Sequence, residues 1–312
     1  MSFKVVIAGA NQAGSERWQK AFTKAYPQYT FFSLPESETD IEADYAVVWR
    51  PPGWLFSRGK GLRAVFNLGA GVDGLLRLPE LPTNLPVIRL EDAGMARQMA
   101  EYVVHGLTNV TRQFDHYQQQ QTQANWRVLP AVRPRDWPVG VLGLGTIGSQ
   151  VASAIAALGY PVLGWSRSER NLPGIQSFHG ADSLNDFLAQ TRVLVNILPL
   201  TPDTHGILNR QTLGRLLPGS YLINVGRGEH LVEEDLLPLI DSGKMQGALL
   251  DVFRTEPLPT DHAFWAHPAV RVTPHIAAIT LEDEAREQII NKIITLEQGG
   301  QITGVVPRDR GY

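Results

Sequence analysis

Three polar side chains suited to catalysis stand just beyond runs of branched apolar residues, where buried strands are expected to end. Arg227 lies between two glycines in "LINVGRG", and its planar guanidinium suits a carboxylate held by two hydrogen bonds. His275 ends "VRVTPH", and histidine is suited to proton transfer near neutral pH. Glu256 follows the run "ALLDVF". A carboxylate beside a histidine favours the protonated form of the imidazole and fixes the orientation of the ring. Open α/β sheets bind ligands beyond the carboxyl ends of their strands, so all three positions are candidates for a functional site.

Arg227 and His275 also fit purely structural roles. Arg227 would then tether a loop, and His275 would be a structural or merely exposed histidine near a strand end. Asp251, at the end of "ALLD", is assigned to the cofactor-binding residues, with a structural role at the strand end as the alternative.

The segment "VGVLGLGTIGSQ" has the spacing Gly-x-Gly-x-x-Gly between a predicted strand and a predicted helix. Gly143 permits the tight turn, Gly145 lets the backbone approach a pyrophosphate, and Gly148 permits close packing of helix against strand. Free N–H groups at the helix start, which includes Thr146 and Ile147, then face the phosphates. We predict that this turn binds a dinucleotide. The turn "AGANQAG" near the start of the chain lacks the spacing and is predicted to be an ordinary strand-to-helix connection.

The strand after this turn ends in "VLGWSRSE", where a site for NAD(H) normally carries an acidic residue for the ribose hydroxyl. Ser166 occupies that position, and Arg167 follows it. An acid there would repel a 2′-phosphate, whereas a serine donates to it and an arginine neutralises its charge. We therefore predict NADP(H) as the preferred cofactor, with NAD(H) as the alternative. Ser166 and Arg167 are its predicted readers, assisted by Ser168 or Arg170.

Composition excludes several kinds of site. The 312-residue chain has no cysteine, which rules out disulfides, thiolate zinc sites and cysteine nucleophiles and suits a cytoplasmic protein. A formal net charge of −3 gives no electrostatic reason to expect nucleic acid or an anionic membrane as a partner. His262 and His267 lack a metal-ligand spacing, so no metal is predicted. The first residues resemble a strand and turn rather than a signal peptide, and no window approaches the roughly 18 apolar residues of a membrane span.

Apolar runs rich in Val, Ile and Leu alternate with helical periodicity nearly throughout, which predicts an α/β fold with parallel, doubly wound sheets. One sheet is expected near residues 4–90 and another near residues 139–275. The predicted domains are residues 1–98, completed by the last helix and tail at 283–312, and residues 99–282.

Two helical segments carry more detailed predictions. Residues 95–123, between the two sheets, are predicted to form a long helical stretch with a solvated, glutamine-rich end. In "SQVASAIAALG" the periodicity places Val151, Ala154, Ile155 and Leu158 on one face, with Gly159 as the C-terminal stop.

Taken in order, "GLGTIG", "LPLTPDTHGILN", "LINVGRG", "ALLDVFRTEPLP" and "TPHIAA" resemble the D-2-hydroxyacid dehydrogenases. The resemblance covers about residues 60–280, and within the family the chain is most similar to the NADPH-preferring glyoxylate/hydroxypyruvate reductases. It implies a Rossmann-type coenzyme domain and a flavodoxin-like substrate domain. By the same resemblance Arg227 would hold the substrate carboxylate and polarise the keto oxygen. His275 would be the general acid, and Glu256 would pair with it and keep it protonated.

The resemblance also implies further contacts. "NLGAGVDGL" matches a substrate-domain loop in which the N–H groups of Ala70 and Gly71 grip the carboxylate, and Pro199 falls among the cofactor contacts. The residue types of the loop "VVWRPPGW" add Trp49 to the substrate pocket, because a small substrate needs a small pocket that a loop with Trp49, Arg50 and Trp54 would close. Packing of this loop on its own domain is the alternative. A homodimer is expected, formed through residues 99–123.

The implied reaction is the NADPH-dependent reduction of a small 2-keto acid, glyoxylate to glycolate and hydroxypyruvate to D-glycerate. One alternative is a dehydrogenase of another, bulkier D-2-hydroxy acid. A second alternative is a dinucleotide-sensing binding protein of the corepressor kind. The compact chain, without long disordered extensions, argues against this alternative.

Overall fold

A computed structural model describes residues 3–36 and 39–308 of the chain, which folds as two compact units. The first unit comprises residues 1–93 and 280–312, and the second comprises residues 94–279. The predicted domain boundaries lie a few residues beyond these two divisions.

A parallel sheet of five strands forms the centre of the first unit. The strands of this unit are β1 (Lys4–Ala8), β2 (Thr30–Ser33), β3 (Ile41–Glu42), β4 (Tyr45–Val48), β5 (Gly59–Lys60), β6 (Ala64–Asn67) and β7 (Val87–Ile88). The helices are α1 (Gln12–Ala25), α2 (Trp54–Arg58) and α3 (Asp73–Leu76). The sheet has the order β2-β1-β4-β6-β7, and β3 pairs with β5 separately. This is the flavodoxin-like order predicted for the substrate domain.

Local sequence explains how the first unit begins. Val5, Val6 and Ile7 in β1 are all fully buried, as expected of a parallel strand covered on both faces. The "AGANQAG" turn then leads into α1, where the Asn11 side chain caps the helix by accepting the Gly14 N–H at 2.8 Å.

The second unit contains a parallel sheet of seven strands. They are β8 (Val139–Leu142), β9 (Val162–Ser166), β10 (Ile175–His179), β11 (Val193–Asn196), β12 (Ser220–Asn224), β13 (Met245–Leu250) and β14 (Val270–Val272). Their order is β10-β9-β8-β11-β12-β13-β14, so the direction of winding reverses between β8 and β11. Such a reversal opens a crevice beyond the carboxyl ends of the strands, and it is where doubly wound sheets bind dinucleotides.

Helices cover both faces of this sheet. They are α4 (Met95–Thr111), α5 (Phe114–Thr122), α6 (Thr146–Ala157), α7 (Leu184–Ala189), α8 (Arg210–Arg215) and α9 (Glu233–Asp241), with single 3-10 turns at Pro134–Asp136, Ala181–Ser183, Gly228–His230 and Ala263–Trp265. In β11, Val193 and Val195 join the apolar cluster that includes α4 and α6. Leu194 points to the opposite face and joins the cluster of α7, α8 and α9. The predicted α/β class with two doubly wound parallel sheets is therefore confirmed.

Helix α10 (Glu282–Glu297) follows the second unit along the chain and packs in the first. Its Glu297 accepts a hydrogen bond from the Tyr45 hydroxyl at 2.6 Å, and its buried Lys292 pairs with Glu91 at 3.0 Å. Burial and the hydrogen bond to Glu297 raise the pKa of Tyr45. These polar contacts fix the last helix against strand β4 and the segment after β7.

One helix prediction was wrong in detail. The long helical stretch at residues 95–123 is broken into α4 and α5, because Gln113 adopts a left-handed backbone with φ of 55°. The turn brings Asp115 of α5 against Asn109, whose side-chain amide donates to it at 2.8 Å, and against Arg271 of β14. In α6, Val151, Ala152 and Ile155 are buried, whereas Leu158 lies exposed just beyond the helix end.

In the described ranges, no helix combines the length and the apolar character needed to cross a membrane.

Candidate active site

The predicted residues of the second unit gather at one edge of its sheet. Each lies at or just after the carboxyl end of a parallel strand. They are the glycine turn after β8, Ser166 in β9, Pro199 after β11, Arg227 after β12, Asp251 and Glu256 after β13, and His275 after β14.

The three glycines of the turn have different local constraints. Gly143 has φ of 103°, which favours glycine, and a Cβ on Gly148 would lie 1.8 Å from the Gly143 carbonyl oxygen. At Gly145, by contrast, an added Cβ would meet nothing within 4 Å. No side chain caps α6 at this end, so no capping side chain occupies its first N–H groups. The residues present thus fit the pyrophosphate of a dinucleotide, as predicted from their spacing.

The glycine contacts give a direct stability prediction. Gly148→Ala should lower the free energy of unfolding by about 1–3 kcal/mol, because the new methyl group forces the turn and α6 apart. Gly145→Ala is the matched control and should leave the melting temperature nearly unchanged, since its Cβ has open space. Thermal unfolding of the two variants checks this, and equal melting temperatures would contradict it.

His275 and Glu256 are hydrogen-bonded to each other at this edge. His275 Nδ1 lies 2.9 Å from Glu256 Oε2, and Glu256 Oε1 accepts the Phe253 N–H at 3.2 Å. His275 has φ of 56°, a left-handed conformation that residues with side chains rarely adopt and that clusters at functional sites. Its side chain is 41% exposed. Because Nδ1 faces the carboxylate, Nε2 is the ring atom directed to other partners.

The buried Asp251 carboxylate fixes the loop that carries His275. Its Oδ1 accepts the Thr273 hydroxyl at 2.6 Å and the Ile276 N–H at 2.8 Å. Its Oδ2 accepts the Ala277 N–H at 2.8 Å, and its backbone carbonyl accepts the His275 N–H at 2.9 Å. Asp251 therefore has the structural role at the strand end that the sequence left open. Its contact with a cofactor stays a prediction.

This hydrogen-bonded chain continues to helix α4. The Tyr102 hydroxyl lies 2.5 Å from Thr273 Oγ1, so α4 and the loop around His275 are connected through two hydroxyl groups and a carboxylate. Burial raises the pKa of Tyr102, which keeps the phenol protonated as a neutral hydrogen-bonding group.

Arg227 lies in a loop whose two flanking glycines are required by close contacts. A Cβ on Gly226 would lie 2.8 Å from Asn196 Nδ2, and one on Gly228 would lie 1.8 Å from the carbonyl carbon of Phe253. The loop therefore packs at backbone distance against the segment that leads to Glu256. The Arg227 side chain is half-buried, and its Nη1 donates to the Gly226 carbonyl at 2.7 Å.

Sequence reasoning missed a buried polar cluster beneath this loop, formed by Asn196, Asn224 and His230. Asn196 Nδ2 donates to Asn224 Oδ1 at 2.8 Å and lies 2.9 Å from His230 Nδ1. The available signal was the pair of runs "VLVN" and "YLIN", in which neighbouring apolar strands both end in asparagine. A polar residue at the end of each of two buried strands needs a buried partner.

The residues predicted to recognise the 2′-phosphate of the cofactor differ in exposure. Ser166 is buried, and its hydroxyl donates to the Ser168 carbonyl at 2.7 Å. Arg167, Ser168 and Arg170 are exposed beyond the strand end. Ser166 thus organises the turn, while the exposed residues offer charge and hydrogen bonds to a ligand.

The predicted substrate loop lies in the first unit and is held by Asn67. Its amide donates to the carbonyls of Gly69 at 3.0 Å and Gly71 at 2.9 Å, on either side of Ala70. Trp49 packs directly on this loop, since a Cβ on Gly69 would lie 2.5 Å from its Cζ3 atom. The ring is therefore both packed on its own unit and next to the predicted carboxylate contacts.

Among the described residues, no group of three or more His, Cys, Asp or Glu side chains is arranged to hold a metal ion. His262 instead lies 3.5 Å from Glu233, and His267 lies 3.2 Å from Asp241.

Known proteins share both the sequence pattern and this architecture. Residues 104–277 match the family described as D-isomer specific 2-hydroxyacid dehydrogenase, NAD binding domain. A D-isomer specific 2-hydroxyacid dehydrogenase from Xanthobacter autotrophicus Py2, crystallised with NADPH and MES, is 36% identical with a TM-score of 0.94, and the match covers 100% of both chains.

Two further solved structures match at similar identity. The NADPH-dependent glyoxylate/hydroxypyruvate reductase of Sinorhizobium meliloti, in complex with NADP and sulfate, is 36% identical with a TM-score of 0.92, over 99% of this chain and 100% of that one. A D-isomer specific 2-hydroxyacid dehydrogenase family protein of Klebsiella pneumoniae 342 is 35% identical with a TM-score of 0.88, over 98% of each chain.

Proposed function

Because the chain belongs to the D-isomer specific 2-hydroxyacid dehydrogenase family and is an oxidoreductase acting on CH–OH groups, we propose that it reduces small 2-keto acids with NADPH. The substrates proposed are glyoxylate, reduced to glycolate, and hydroxypyruvate, reduced to D-glycerate. The observation that carries the proposal is the His275–Glu256 pair, which lies at the same sheet edge as Arg227 and the open glycine turn.

In the proposed reaction, a cation and a proton donor lie at the keto oxygen, where negative charge develops. The nicotinamide, when bound, supplies the hydride. The Arg227 guanidinium holds the substrate carboxylate and stabilises the negative charge that builds on the keto oxygen. His275 gives that oxygen a proton from Nε2, while Glu256 at Nδ1 stabilises the imidazolium and holds the ring in place. In the first unit, the N–H groups of Ala70 and Gly71 are proposed to bind the carboxylate, beside Trp49.

The cofactor proposal is supported by the glycine turn and by the strand end. Gly143, Gly145 and Gly148 form an open, uncapped cradle suited to the pyrophosphate. The exposed Arg167 supplies positive charge where an acidic residue would repel a 2′-phosphate, and the two most similar structures described above were crystallised with NADPH or NADP. NADP(H) is therefore the preferred cofactor, with NAD(H) as the alternative.

Arg167→Asp should move the preference from NADPH toward NADH. Removing the cation and adding a carboxylate is expected to lower kcat/KM for NADPH by about tenfold or more, since a charge-assisted phosphate contact becomes a repulsion. Arg215→Asp is the control, because this exposed arginine ends α8 near the amino edge of the sheet. Steady-state kinetics with both cofactors checks this, and an unchanged NADPH/NADH ratio would remove Arg167 as a reader.

We propose a homodimer formed through residues 99–123 and the loop that follows. In that region Trp126 is 99% exposed and Val128 is 82% exposed, and Phe114 and Tyr117 are also exposed. A cluster of large exposed apolar side chains is typical of an interaction surface. A cytoplasmic location, suited to a chain without cysteine, belongs to the same proposal.

Light scattering should give twice the chain mass of 34.5 kDa at micromolar concentration. Trp126→Asp should shift the population toward monomer, because it places a charge in an apolar contact. A monomeric wild-type mass would contradict the proposed dimer.

Steady-state kinetics over a panel of 2-keto acids, with NADPH and with NADH, tests the proposed substrates. We expect glyoxylate or hydroxypyruvate with NADPH to have the highest kcat/KM. A preference for a bulkier 2-keto acid would favour the dehydrogenase of another 2-hydroxy acid. Tight NADPH binding without turnover of any panel member would favour a dinucleotide-sensing binding protein instead.

A further inference from the structure

His230 is a fully buried imidazole, with 0% of its surface exposed, beneath the loop that carries Arg227. Its Nδ1 lies 3.1 Å from the Arg227 backbone nitrogen and 2.9 Å from Asn196 Nδ2. Its Nε2 lies 3.2 Å from the Pro199 carbonyl oxygen. A buried ring therefore contacts both the arginine loop after β12 and the segment after β11.

The partners of the ring determine its protonation pattern. Both groups at Nδ1 are donors, a backbone N–H and a side-chain amide, so Nδ1 must be the acceptor. The partner at Nε2 is a carbonyl, so Nε2 carries the proton. His230 is thus held as the neutral tautomer protonated at Nε2, which suits a positioning group rather than a proton donor to substrate.

Buried side chains hold both backbone polar groups of Arg227. His230 Nδ1 accepts its N–H, while Asn224 Nδ2 donates to its carbonyl at 3.2 Å. Gly226 makes this approach feasible, because a Cβ there would lie 3.0 Å from His230 Nδ1. The backbone from which the guanidinium projects is therefore fixed by buried side chains.

We infer that His230 is a positioning residue for Arg227 and that it links the arginine loop to the Pro199 segment of the predicted cofactor site. The inference rests on the proposed function, since Arg227 is its carboxylate-binding residue. Loss of the Nδ1 acceptor leaves buried donors unsatisfied, which costs on the order of tenfold in an equilibrium constant. That cost is relieved if the loop shifts, and a shifted loop moves the guanidinium.

Two variants of nearly the same shape separate hydrogen bonding from packing. His230→Asn keeps an acceptor close to the position of Nδ1, whereas His230→Leu fills the same space without one. Both variants lose the Nε2 contact with Pro199, so any change in the KM for NADPH should occur in both. We expect the KM for glyoxylate to rise about tenfold in the leucine variant relative to the asparagine variant, with kcat also lowered. The KM for NADPH should be similar in the two.

His230→Gln supplies a second comparison if the leucine variant does not fold. Its longer side chain keeps a donor toward the Pro199 carbonyl but moves the acceptor away from the Arg227 N–H. The glutamine variant should then have the higher KM for glyoxylate, and the asparagine variant the higher KM for NADPH. If the glutamine and asparagine variants had the same KM for glyoxylate and the same KM for NADPH, His230 would only fill space.

Oxalate binding gives a readout that does not need turnover. In the presence of NADP, oxalate should raise the melting temperature of the wild-type protein and of His230→Asn, but much less that of His230→Leu. The inference alone would be overturned if the wild-type protein turned over substrate while the folded variants had equal kinetic constants and equal oxalate-induced shifts in melting temperature. A wild-type protein that neither reduces any 2-keto acid nor binds oxalate would overturn the proposed function and the inference together.

Discussion

His275→Ala is expected to lower kcat for glyoxylate reduction by about 10²–10⁴-fold, because it removes the proposed general acid for the developing alkoxide. The Kd for NADPH should change little, since the histidine is assigned to the substrate rather than to the glycine turn. Steady-state kinetics and fluorescence titration with NADPH measure the two effects separately. Glu256→Gln should lie between the wild type and the alanine variant, because it keeps a hydrogen-bonding partner at Nδ1 but removes its charge.

His267→Ala is the matched control for this prediction. His267 also pairs with a carboxylate, Asp241 at 3.2 Å, but it lies before β14, at the opposite edge of the sheet. Its replacement should leave kcat nearly unchanged. If kcat in His275→Ala stayed within a few-fold of the wild type, His275 would not be the general acid.

Arg227→Ala is expected to raise the KM for the keto acid and to lower kcat, with a combined loss in kcat/KM of about 10³-fold or more. In the proposed mechanism one side chain has two roles, since the guanidinium would bind the carboxylate in the ground state and stabilise the oxyanion in the transition state. Arg227→Lys should recover only part of the activity, because a lysine keeps the charge but lacks the planar fork.

Melting temperatures decide whether Arg227 is instead a loop tether. Its Nη1 donates to the Gly226 carbonyl, so a tethering role would make the alanine variant less stable. The proposed role predicts a large kinetic loss with a small change in melting temperature. A large fall in melting temperature with kcat/KM within tenfold of the wild type would favour the tether.

The sheet edge that carries the site was predictable because strand ends are visible in the sequence. Apolar runs ending at Arg227, Glu256 and His275 imply parallel strands, and parallel strands bring their carboxyl ends to one edge. Motif order then identified the family, and the match over residues 104–277 confirms that identification. The glycine spacing likewise predicted the turn between β8 and α6.

The remaining features depend on contacts between segments far apart in the chain. The turn at the left-handed Gln113 carries Asp115 to Arg271, a partner that periodicity does not reveal. His230 had no local signal of its own, and its inferred role depends on two asparagines at the ends of β11 and β12 and on the Pro199 carbonyl after β11. Side-chain networks of this kind follow from tertiary packing, so they appear only once the strand order is known.

The central claim is that this chain is an NADPH-dependent reductase of small 2-keto acids, and one measurement tests it most directly. The wild-type protein is mixed with NADPH and glyoxylate, and absorbance at the nicotinamide band is followed. We predict a steady decrease, with a kcat of about 1–10³ s⁻¹, that is lost in His275→Ala. No decrease with glyoxylate, hydroxypyruvate or any other 2-keto acid of the panel would contradict the account.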